Sequence, residues 1–303
     1  MGALRPVLSG LHGQRDKHLM FRILINVSAG LLLVACTGPA SLDSGRQEAT
    51  ASAGAAGSVL SDAEQCLVAL QAEPTAATRG LDQTRMRLLN WNTQKNTNTD
   101  MQADLTRLTE DMDLVLLQES VRNSTAFADL DPAFHWSFSP GYERANLSTG
   151  VATASRVKPL AQCSLINYEP WLRSPKATNI TEFALIGTDE TLLVVNLHMI
   201  NFTFGLDAIR QQLQQALSIV EQHRGPVIFS GDFNTWRKAR RDLVLQAFEA
   251  SDLMAVDYQT DHRKRVFGYA LDHTFVRGIK IANGTSQTVD TSDHNPMSVT
   301  LEF

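Results

Sequence analysis

The sequence has only three cysteines and lacks the short motifs that mark several large enzyme classes. The cysteines have no CxxC spacing and no HExxH segment occurs, which excludes the usual zinc sites. GxSxG, GxGxxG and Walker A segments are absent too. Their absence argues against an α/β-hydrolase, a dinucleotide-binding enzyme and a P-loop nucleotide hydrolase.

Basic residues are also in short supply. The 27 Lys and Arg residues are outnumbered by 32 Asp and Glu residues, and the net charge is −5. The first 36 residues carry +3, so the remainder carries −8. Such an acidic body argues against extensive non-specific binding to DNA, which depends on neutralising phosphates with Lys and Arg. The hydrophobic fraction of 43% provides ample apolar material for a globular core.

An apolar run near the N-terminus is too short for a typical membrane-spanning helix but suits the core of a signal peptide. It covers 21–35 (FRILINVSAGLLLVA) and ends in LVAC, which resembles the bacterial lipobox, whose cysteine is lipidated after cleavage. The basic residues around its start are Arg15, Lys17 and Arg22. We therefore predict a signal peptide over 1–36 with Cys36 as the lipidated residue; a plain N-terminal membrane anchor is the alternative.

The segment after Cys36 is rich in Ala, Ser, Gly and Thr and has no apolar period. This composition predicts a flexible tether over 37–60, followed by a folded domain over 61–303. Thr37 stands where an inner-membrane retention signal would place Asp, so we expect the periplasmic side of the bacterial envelope, with the outer membrane favoured. Met20 is an alternative start to Met1, since it leaves a compact signal.

Hydrophobic periodicity predicts alternating strands and amphipathic helices in the body of the chain. Strands are predicted at 86–91, 113–118, 133–138, 150–155, 160–167, 180–187, 191–197, within 227–236, 271–277 and 297–302. Helices are predicted at 61–71, 100–111, 206–223 and 238–250. Cys66 and Cys163 lie in this region, and we favour a disulfide between them in an oxidising periplasm over two unrelated buried thiols.

The stretch 227–236 (VIFSGDFNTW) combines a buried strand with two polar residues at its tip. Gly231 allows a sharp turn, and Asp232 and Asn234 are two residues apart, so in extended chain they point the same way. The carboxylate can position a water or a metal, and the amide can hold a phosphate oxygen. The alternative is an Asx turn that caps the following helix.

Six polar residues share one position in the predicted topology, namely the end of an apolar strand or the start of an antiparallel one. They are Asn92, Glu119, His198 and Asp232 at strand ends, and Asp293 and His294 just before the last strand. Polar groups that meet at the ends of buried strands mark a site that a rigid scaffold positions. We therefore expect these residues to share one cleft.

The residue types suit hydrolysis at phosphorus. Mg²⁺ prefers oxygen ligands and usually takes one or two carboxylates plus substrate phosphate, so Glu119 is the first candidate ligand, with Asn92 and Asp293 beside it. Mn²⁺ is the alternative ion. His294 can act as the base that activates water, with Asp272 fixing its tautomer. His198 can face the leaving oxygen as an acid or a phosphate-binding donor.

Six short segments then occur in an order that resembles the endonuclease/exonuclease/phosphatase superfamily, the fold of DNase I. They are WN at 91–92, LLQES at 116–120, NLH at 196–198, GDFN at 231–234, LDH at 271–273 and SDHNP at 292–296. The longer segments WNTQK, NLHMINF and GDFNTW resemble its bacterial YafD-like branch. The resemblance covers about 85–303 and implies an α/β fold, a four-layer sandwich of two mixed β-sheets flanked by helices. It also implies Mg²⁺-dependent hydrolysis of phosphoesters by in-line attack of water.

The resemblance further implies roles for the matching residues. It puts Glu119 and Asn92 at the metal, Asp232 and Asn234 beside the nucleophile and phosphate, His198 at the leaving side, Asp272 with His294 as base, and Asp293 in the metal or phosphate shell. Arg156 matches a basic position near substrate, and Lys95, Lys176 and Arg210 are further candidates. Gln94 departs from the pattern, because abasic-site endonucleases carry an Asp ligand there, which weakens an assignment to DNA repair. The basic segments 237–241 and 263–265 can receive an anionic substrate or simply form solvated surface.

Two classes of function follow. The first is a phosphodiesterase or nuclease-type hydrolase tethered to the envelope, acting as a monomer on nucleic acid, a phospholipid headgroup or a small phosphoester. Sphingomyelinase-type and phosphatase-type activities belong to this class. The second is a catalytically inactive envelope lipoprotein that keeps the fold as a binding scaffold.

Overall fold

Two six-stranded mixed β-sheets form the centre of the fold in the computed structural model, which describes residues 63–70, 80–122, 124, 130, 132, 134–144 and 147–303. The strands are β1 (Met86–Asn92), β2 (Leu114–Val121), β3 (His135–Arg144), β4 (Leu147–Ser155), β5 (Ala161–Tyr168), β6 (Pro175–Ala184), β7 (Thr191–His198), β8 (Val227–Asp232), β9 (Met254–Ala255), β10 (Arg265–Val266), β11 (Tyr269–Ala270), β12 (Asp272–Arg277), β13 (Lys280–Ser286) and β14 (Met297–Glu302). The helices are α1 (Ala63–Ala69), α2 (Met101–Thr109), α3 (Asp207–Gln222) and α4 (Lys238–Glu249). The predicted signal peptide and tether lie outside the described residues.

Sheet A has the order β13-β14-β1-β2-β4-β3, and sheet B has the order β5-β6-β7-β8-β12-β9. In sheet A, β1 runs parallel to β2 and antiparallel to β14. In sheet B, β7 runs parallel to β8, and β12 is antiparallel to β8. The carboxyl ends of β1, β2, β7 and β8 and the amino ends of β12 and β14 therefore provide the polar edge that the sequence predicts.

Three apolar clusters separate the layers. Leu88 of β1 and Val194 of β7 belong to the cluster between the sheets. Trp91 and Leu105 belong to the cluster between sheet A and α2. The third cluster joins sheet B to the remaining helices. Both faces of the central strands are covered, so the sequences of these strands are nearly continuous apolar runs. The predicted four-layer α/β sandwich is confirmed.

The layer between the sheets becomes polar towards the ends of β1, β2 and β7. Gln118 donates through Nε2 to Oδ1 of Asn90 at 2.9 Å and to Oδ1 of Asn196 at 2.7 Å. Asn196 in turn donates through Nδ2 to the carbonyl of Ala152 at 2.9 Å. These buried bonds tie the two sheets together directly beneath the residues that carry the site, because Gln118 precedes Glu119 and Asn196 lies two residues before His198.

Most predicted elements agree with the structure within a few residues, but two differ in their bounds and four strands were not predicted. Strand β6 begins at Pro175 rather than at 180, because its polar first half pairs with β5. Strand β3 continues to Arg144 past a register shift after Pro140. The unpredicted strands are β9, β10 and β11, which have two residues each, and β13, a polar strand held by its ladder to β14. Within the part of the chain that the structure describes, no helix has the length and apolarity needed to cross a membrane.

The cysteine prediction is confirmed, since Cys66 and Cys163 form a disulfide with their Cα atoms 5.4 Å apart. Both residues are buried in the cluster between sheet B and its helices. The bond fastens the short helix α1 to β5, the outermost strand of sheet B.

Candidate active site

Strand register places three of the predicted site residues side by side. His198 is paired with Asp232 between β7 and β8, and Asp232 is paired with Asp272 between β8 and β12. Residues that are directly opposite in a ladder have their side chains on the same face. This face of sheet B looks towards sheet A, and Asn92 at the end of β1 completes the group from there.

Asp232 is the centre of the group. Its Oδ2 accepts a hydrogen bond from Nδ2 of Asn92 at 3.0 Å and lies 3.7 Å from Nε2 of His198 and 4.0 Å from Nε2 of His294. Its Oδ1 accepts a hydrogen bond from the backbone N–H of Asn234 at 2.9 Å. Burial raises the pKa of Asp232; the charge of His294 opposes this shift and that of Asp272 adds to it. A carboxylate with a raised pKa is suited to accept a proton.

His294 and Asp272 form a buried pair. Nδ1 of His294 lies 2.8 Å from Oδ2 and 3.1 Å from Oδ1 of Asp272. The indole Nε1 of Trp91 donates to the backbone carbonyl of His294 at 2.8 Å and fixes the loop before β14. Burial alone would lower the pKa of His294, but the charges of Asp272 and Asp232 outweigh it and raise the pKa to about 10. At neutral pH the imidazole is therefore a cation, which does not fit the base role expected for His294.

The surroundings of His198 shift its pKa in the opposite direction from that of His294. Nε2 of His198 lies 2.9 Å from Nζ of Lys176 and 3.8 Å from Oε1 of Glu119. Burial, followed by the charges of Lys176, His294 and Lys95, lowers the pKa of His198 well below its usual value. The imidazole of His198 is neutral at pH 7, so the two histidines of the site carry different charges.

A β-bulge in β2 orients the side chain of Glu119. The β2–β4 ladder shifts register between Leu117 and Ser120, so that Glu119 lies in a bulge, and its φ is +50°. Bulges of this kind often re-aim a side chain beside an active site. The Glu119 carboxylate lies 3.7 Å from Nζ of Lys95. Among the described residues it accepts no hydrogen bond, so its oxygens remain available to a ligand.

The donor set fits a divalent cation that prefers oxygen. Asp232, Asp272 and His294 offer ligand atoms within 4.8 Å of one another. Asp272 is already hydrogen-bonded to Nδ1 of His294, however, so this trio is better explained as a hydrogen-bonded relay. The carboxylate of Glu119 is the better match to the oxygen ligands of Mg²⁺. The side-chain oxygen of Asn92, on the neighbouring strand, is a second candidate, although it also accepts the backbone N–H of Gln94 at 3.0 Å.

A cavity of about 550 Å³ opens beside these groups. Glu119, Lys176 and His198 line it. Glu169 also belongs to its lining but is almost fully buried. Oε1 of Glu169 is 3.9 Å from Nζ of Lys176 and accepts the backbone N–H groups of Asn201 and Phe202 at 3.0 and 3.2 Å. The cavity therefore presents a carboxylate, an ammonium and a neutral imidazole to whatever enters it.

Most of the predicted site residues lie together. Asn92, Glu119, His198, Asp232, Asn234, Asp272 and His294 meet at one edge of the two sheets. Asp293 is exposed beside them: its charge contributes to the raised pKa of His294, and its backbone N–H donates to Oε1 of Gln94 at 3.2 Å. Asn234 is adjacent to Asp232, but its amide donates to the carbonyl of Met199 at 3.1 Å, so both the site and the turn interpretation of this segment apply.

The assignment of Arg156 to substrate phosphate is wrong. Arg156 follows β4 at the end where Ser155 pairs with Leu114, which is the start of β2 and the opposite edge of the sheet from Glu119. Its guanidinium donates to carbonyls that follow α2, including that of Glu110 at 2.9 Å, and lies 4.0 Å from the ring of Phe134. A cation at the C-terminus of a helix stabilises that helix, so the role of Arg156 is structural.

The basic segment 237–241 contains a residue that fits neither proposed role. Arg240 is fully buried, and its Nη1 donates to the carbonyls of Ile200 at 3.2 Å and Asn234 at 3.0 Å. Its Nη2 donates to the carbonyls of Asn201 and Thr203. The residue thus fixes the loop after β7 against the loop after β8, beside the site. In the segment 263–265, Arg263 is bound by Asp261 and donates to the Asp272 carbonyl at 3.1 Å, so it too is structural.

Sequence reasoning undervalued Lys176 and missed Glu169. Both lie outside the six short segments, and no motif marks them. The available signal is weak: an acidic residue at the end of β5 and a lysine at the start of β6, the strand paired with it. Of the other candidates, Lys95 faces Glu119, whereas Arg210 lies on the exposed face of α3 and pairs with Asp207 at 2.8 Å.

Two facing sheets whose strand ends bring an Asp–His pair, a second Asp–His contact and a Glu carboxylate together beside one cavity define an acid–imidazole site on a sandwich of the DNase I type. The chain belongs to the endonuclease/exonuclease/phosphatase family: a model of that family matches residues 89–294, a span that contains every residue of the site. Endonucleases, exonucleases and phosphatases all hydrolyse phosphoester bonds. Within the family, the chain is 34% identical over 222 residues to a UPF0294 protein of Vibrio parahaemolyticus, covering 73% of this chain and 79% of that protein.

Solved structures show the same fold at low sequence identity. D. rerio TDP2 complexed with a single-strand DNA product has a TM-score of 0.57 and 16% identity, over 72% of this chain and 99% of that chain. A mannosyl-6-phosphatase of Bacteroides thetaiotaomicron has a TM-score of 0.57 and 15% identity, over 72% of this chain and 100% of that chain. At this identity the two structures support the fold alone.

Proposed function

We propose that the chain is a Mg²⁺-dependent phosphoester hydrolase of the phosphodiesterase type, in which water attacks phosphorus in line with the leaving oxygen. The observation that carries the proposal is the position of Asp232, within 4.0 Å of Asn92, His198 and His294. Its raised pKa suits a group that accepts the proton of the attacking water. Asp232, rather than His294, is therefore the proposed base.

The remaining side chains would stabilise charge on the phosphoryl group. His294, held as a cation by Asp272, donates to a phosphoryl oxygen rather than accepting a proton. The ammonium of Lys176 lies on the opposite side of Asp232 from His294 and is suited to the leaving oxygen, and neutral His198, which accepts from that ammonium at Nε2, positions it. Glu119, with Asn92, would hold Mg²⁺, and the ion would neutralise charge that develops on the phosphoryl oxygens.

Hydrolysis of bis-p-nitrophenyl phosphate tests the proposal. We expect the purified full-length protein to release p-nitrophenol with Mg²⁺ or Mn²⁺, and to lose this activity in EDTA. Asp232→Asn and Glu119→Gln should each lower kcat by about 100-fold or more. Glu190→Gln is the matched control, since Glu190 is exposed in the turn before β7, at the far end of the sheet. Absence of turnover at high protein concentration, with either metal, would favour the inactive lipoprotein.

We also propose that the protein works as a monomer at the cell envelope, anchored through Cys36. One chain supplies every residue of the site, which supports the monomer. The Cys66–Cys163 disulfide supports export, because such bonds persist mainly in oxidising compartments. Metabolic labelling with palmitate and membrane fractionation should show incorporation that Cys36→Ala abolishes. Light scattering of the purified protein should give the mass of one chain.

A further inference from the structure

A second cavity, of about 540 Å³, lies next to the active-site cavity and is lined almost entirely by apolar side chains. We call it the aromatic groove and define it by Trp171, Leu172, Phe202, Phe204, Trp236 and Phe267. Several of these rings face solvent: Trp171 is 64% exposed, Phe204 72% and Phe267 82%. Contiguous apolar surface of this kind usually marks a binding site.

The aromatic groove is continuous with the active-site cavity. Leu172, Asn201 and Phe202 line both. Asn234 lines the groove, and its backbone N–H donates to Asp232 at 2.9 Å. A phosphoester bound at Asp232 therefore has the groove within reach of one of its organic groups, and the lining decides what that group can be.

Three polar side chains line the groove, and two of them are hydrogen-bonded within the protein. Asn201 accepts a hydrogen bond at Oδ1 from the indole of Trp236 at 3.0 Å. The amide of Asn234 donates to the carbonyl of Met199. The rings of Trp171 and Phe204 meet at 55° with centroids 4.5 Å apart, so they form a wall rather than two parallel faces. These features favour a hydrocarbon chain over a nucleobase, whose edge requires hydrogen-bonding partners.

Phe267 provides an independent indication that the groove binds a ligand. It occupies the first position of the two-residue loop between β10 and β11, with φ of +51°, followed by Gly268 at +87°. This is a type I′ turn, in which Asn-Gly is strongly preferred and a bulky side chain is unfavourable. The ring is 82% exposed, and its contact with Trp236 is a loose one, with centroids 6.5 Å apart. Folding alone does not explain an aromatic residue here, which points to a functional role.

We propose that the aromatic groove binds the hydrocarbon chain of a lipid phosphoester whose phosphate is hydrolysed at Asp232. The proposal rests on the phosphoester hydrolase function and names its substrate class. Arg237 adds a positive charge at the rim, with its guanidinium 5.3 Å from the ring of Trp236 and bonded to the Phe204 carbonyl. That charge suits the anionic phosphates of a lipid surface.

A series of p-nitrophenyl alkyl phosphates tests the proposal, because the phosphate and the leaving group stay constant while the chain grows. The full-length protein is assayed with the methyl, butyl and octyl esters below their micelle concentrations. Burial of added methylenes should raise kcat/KM for the octyl ester above that for the methyl ester by about 30-fold or more. Equal kcat/KM values for all three esters would overturn the groove assignment while leaving the hydrolase proposal intact.

Substitutions in the groove connect this effect to its residues. Phe267→Asn suits the type I′ turn, so the melting temperature should hold or rise, yet the octyl-to-methyl ratio should fall at least about three-fold. Phe204→Ser removes a second exposed ring and should lower the ratio too. Met254→Ala is the control, since Met254 is 58% exposed on β9, paired at the far end of β12. If neither groove substitution lowered the octyl-to-methyl ratio of kcat/KM, the proposal would be refuted.

A binding measurement separates the groove from catalysis. Octyl phosphate and ethyl phosphate are titrated in turn while the intrinsic tryptophan fluorescence is followed, to which Trp171 and Trp236 of the groove contribute. Tighter binding of octyl phosphate by about 30-fold, weakened by Phe267→Asn, would support the groove even if no ester were hydrolysed. The p-nitrophenyl ester of thymidine 5′-phosphate tests a nucleotide as the competing substrate. If it exceeds the octyl ester in kcat/KM, and loses this advantage in Phe267→Asn, the rings stack on bases and the lipid assignment is wrong.

Discussion

Nζ of Lys176 lies 2.9 Å from Nε2 of His198. An ammonium group can only donate, so Nε2 of His198 must accept and the ring proton must be on Nδ1. Lys176 thus sets the tautomer of His198 and also contributes to the lowered pKa of that imidazole. A positive charge and a neutral imidazole are in this way held together on one side of Asp232.

Replacing Lys176 by Met should separate these effects from packing. Without the ammonium, the pKa of His198 should rise, although burial keeps it below its ordinary value. Loss of a cation beside the phosphoryl group should lower kcat/KM for bis-p-nitrophenyl phosphate by about 100-fold. The measurements are steady-state kinetics and an NMR titration of the imidazole signals.

Lys158→Met is the matched control, since Lys158 is exposed near the end of β4 that is remote from the site. If Lys176→Met retained full activity, Lys176 would be only a packing partner of Glu169. An unchanged titration of His198 would contradict the electrostatic part of the interpretation.

The pH dependence of kcat/KM distinguishes the two possible roles of His294. With its pKa raised to about 10, the imidazolium persists across neutral pH. If that cation stabilises the phosphoryl group, activity is lost as pH rises through the pKa. Asp272→Asn removes the charge that raises the pKa most, so the alkaline limb should move to lower pH by about 1–3 units. If His294 acted as the base, activity would instead rise with pH, and Asp272→Asn would shift that rise to lower pH.

Arg240 offers a test of how the site is supported. Its guanidinium donates to four backbone carbonyls in two loops and lies 4.4 Å from the ring of Trp236. Arg240→Leu leaves those carbonyls without their donor, at about 1–3 kcal/mol for each that stays buried, so the free energy of unfolding should fall by about 3 kcal/mol or more. Denaturant unfolding measures this. Arg241→Leu, on the exposed face of the same helix, should change stability by less than about 0.5 kcal/mol; equal losses would contradict the account.

The sequence predicted the scaffold of the site better than its electrostatics. Asn92, Glu119, His198, Asp232, Asp272 and His294 follow or precede apolar strands, and strand polarity alone brings such residues to one edge. The charge of each histidine depends on neighbours from other strands: Lys176 from β6 beside His198, and Asp232 from β8 beside His294. Nothing in the local sequence specifies those contacts.

Arg156 and Arg240 are a second case in which the local sequence does not show what a side chain contacts. The resemblance put Arg156 near substrate, and Arg240 belonged to a basic segment expected to receive substrate or face solvent, yet both donate to backbone carbonyls. Whether an arginine faces a phosphate or a helix end depends on which edge of the sheet it occupies. For Arg156 that edge is set by the antiparallel pairing of β4 with β2, which is a long-range property.

The Cys66–Cys163 disulfide should contribute strongly to stability, because it closes a loop with a sequence separation of 97 residues. Chain-entropy arguments give about 4–5 kcal/mol for a loop of that length. Replacing both cysteines by serine should therefore lower the melting temperature by many degrees, and dithiothreitol should lower that of the wild type towards the same value. The double variant should be insensitive to dithiothreitol. The bond joins α1 to β5, away from Asp232, so kcat at low temperature should change little. If dithiothreitol left the melting temperature of the wild type unchanged, the bond would contribute little to stability.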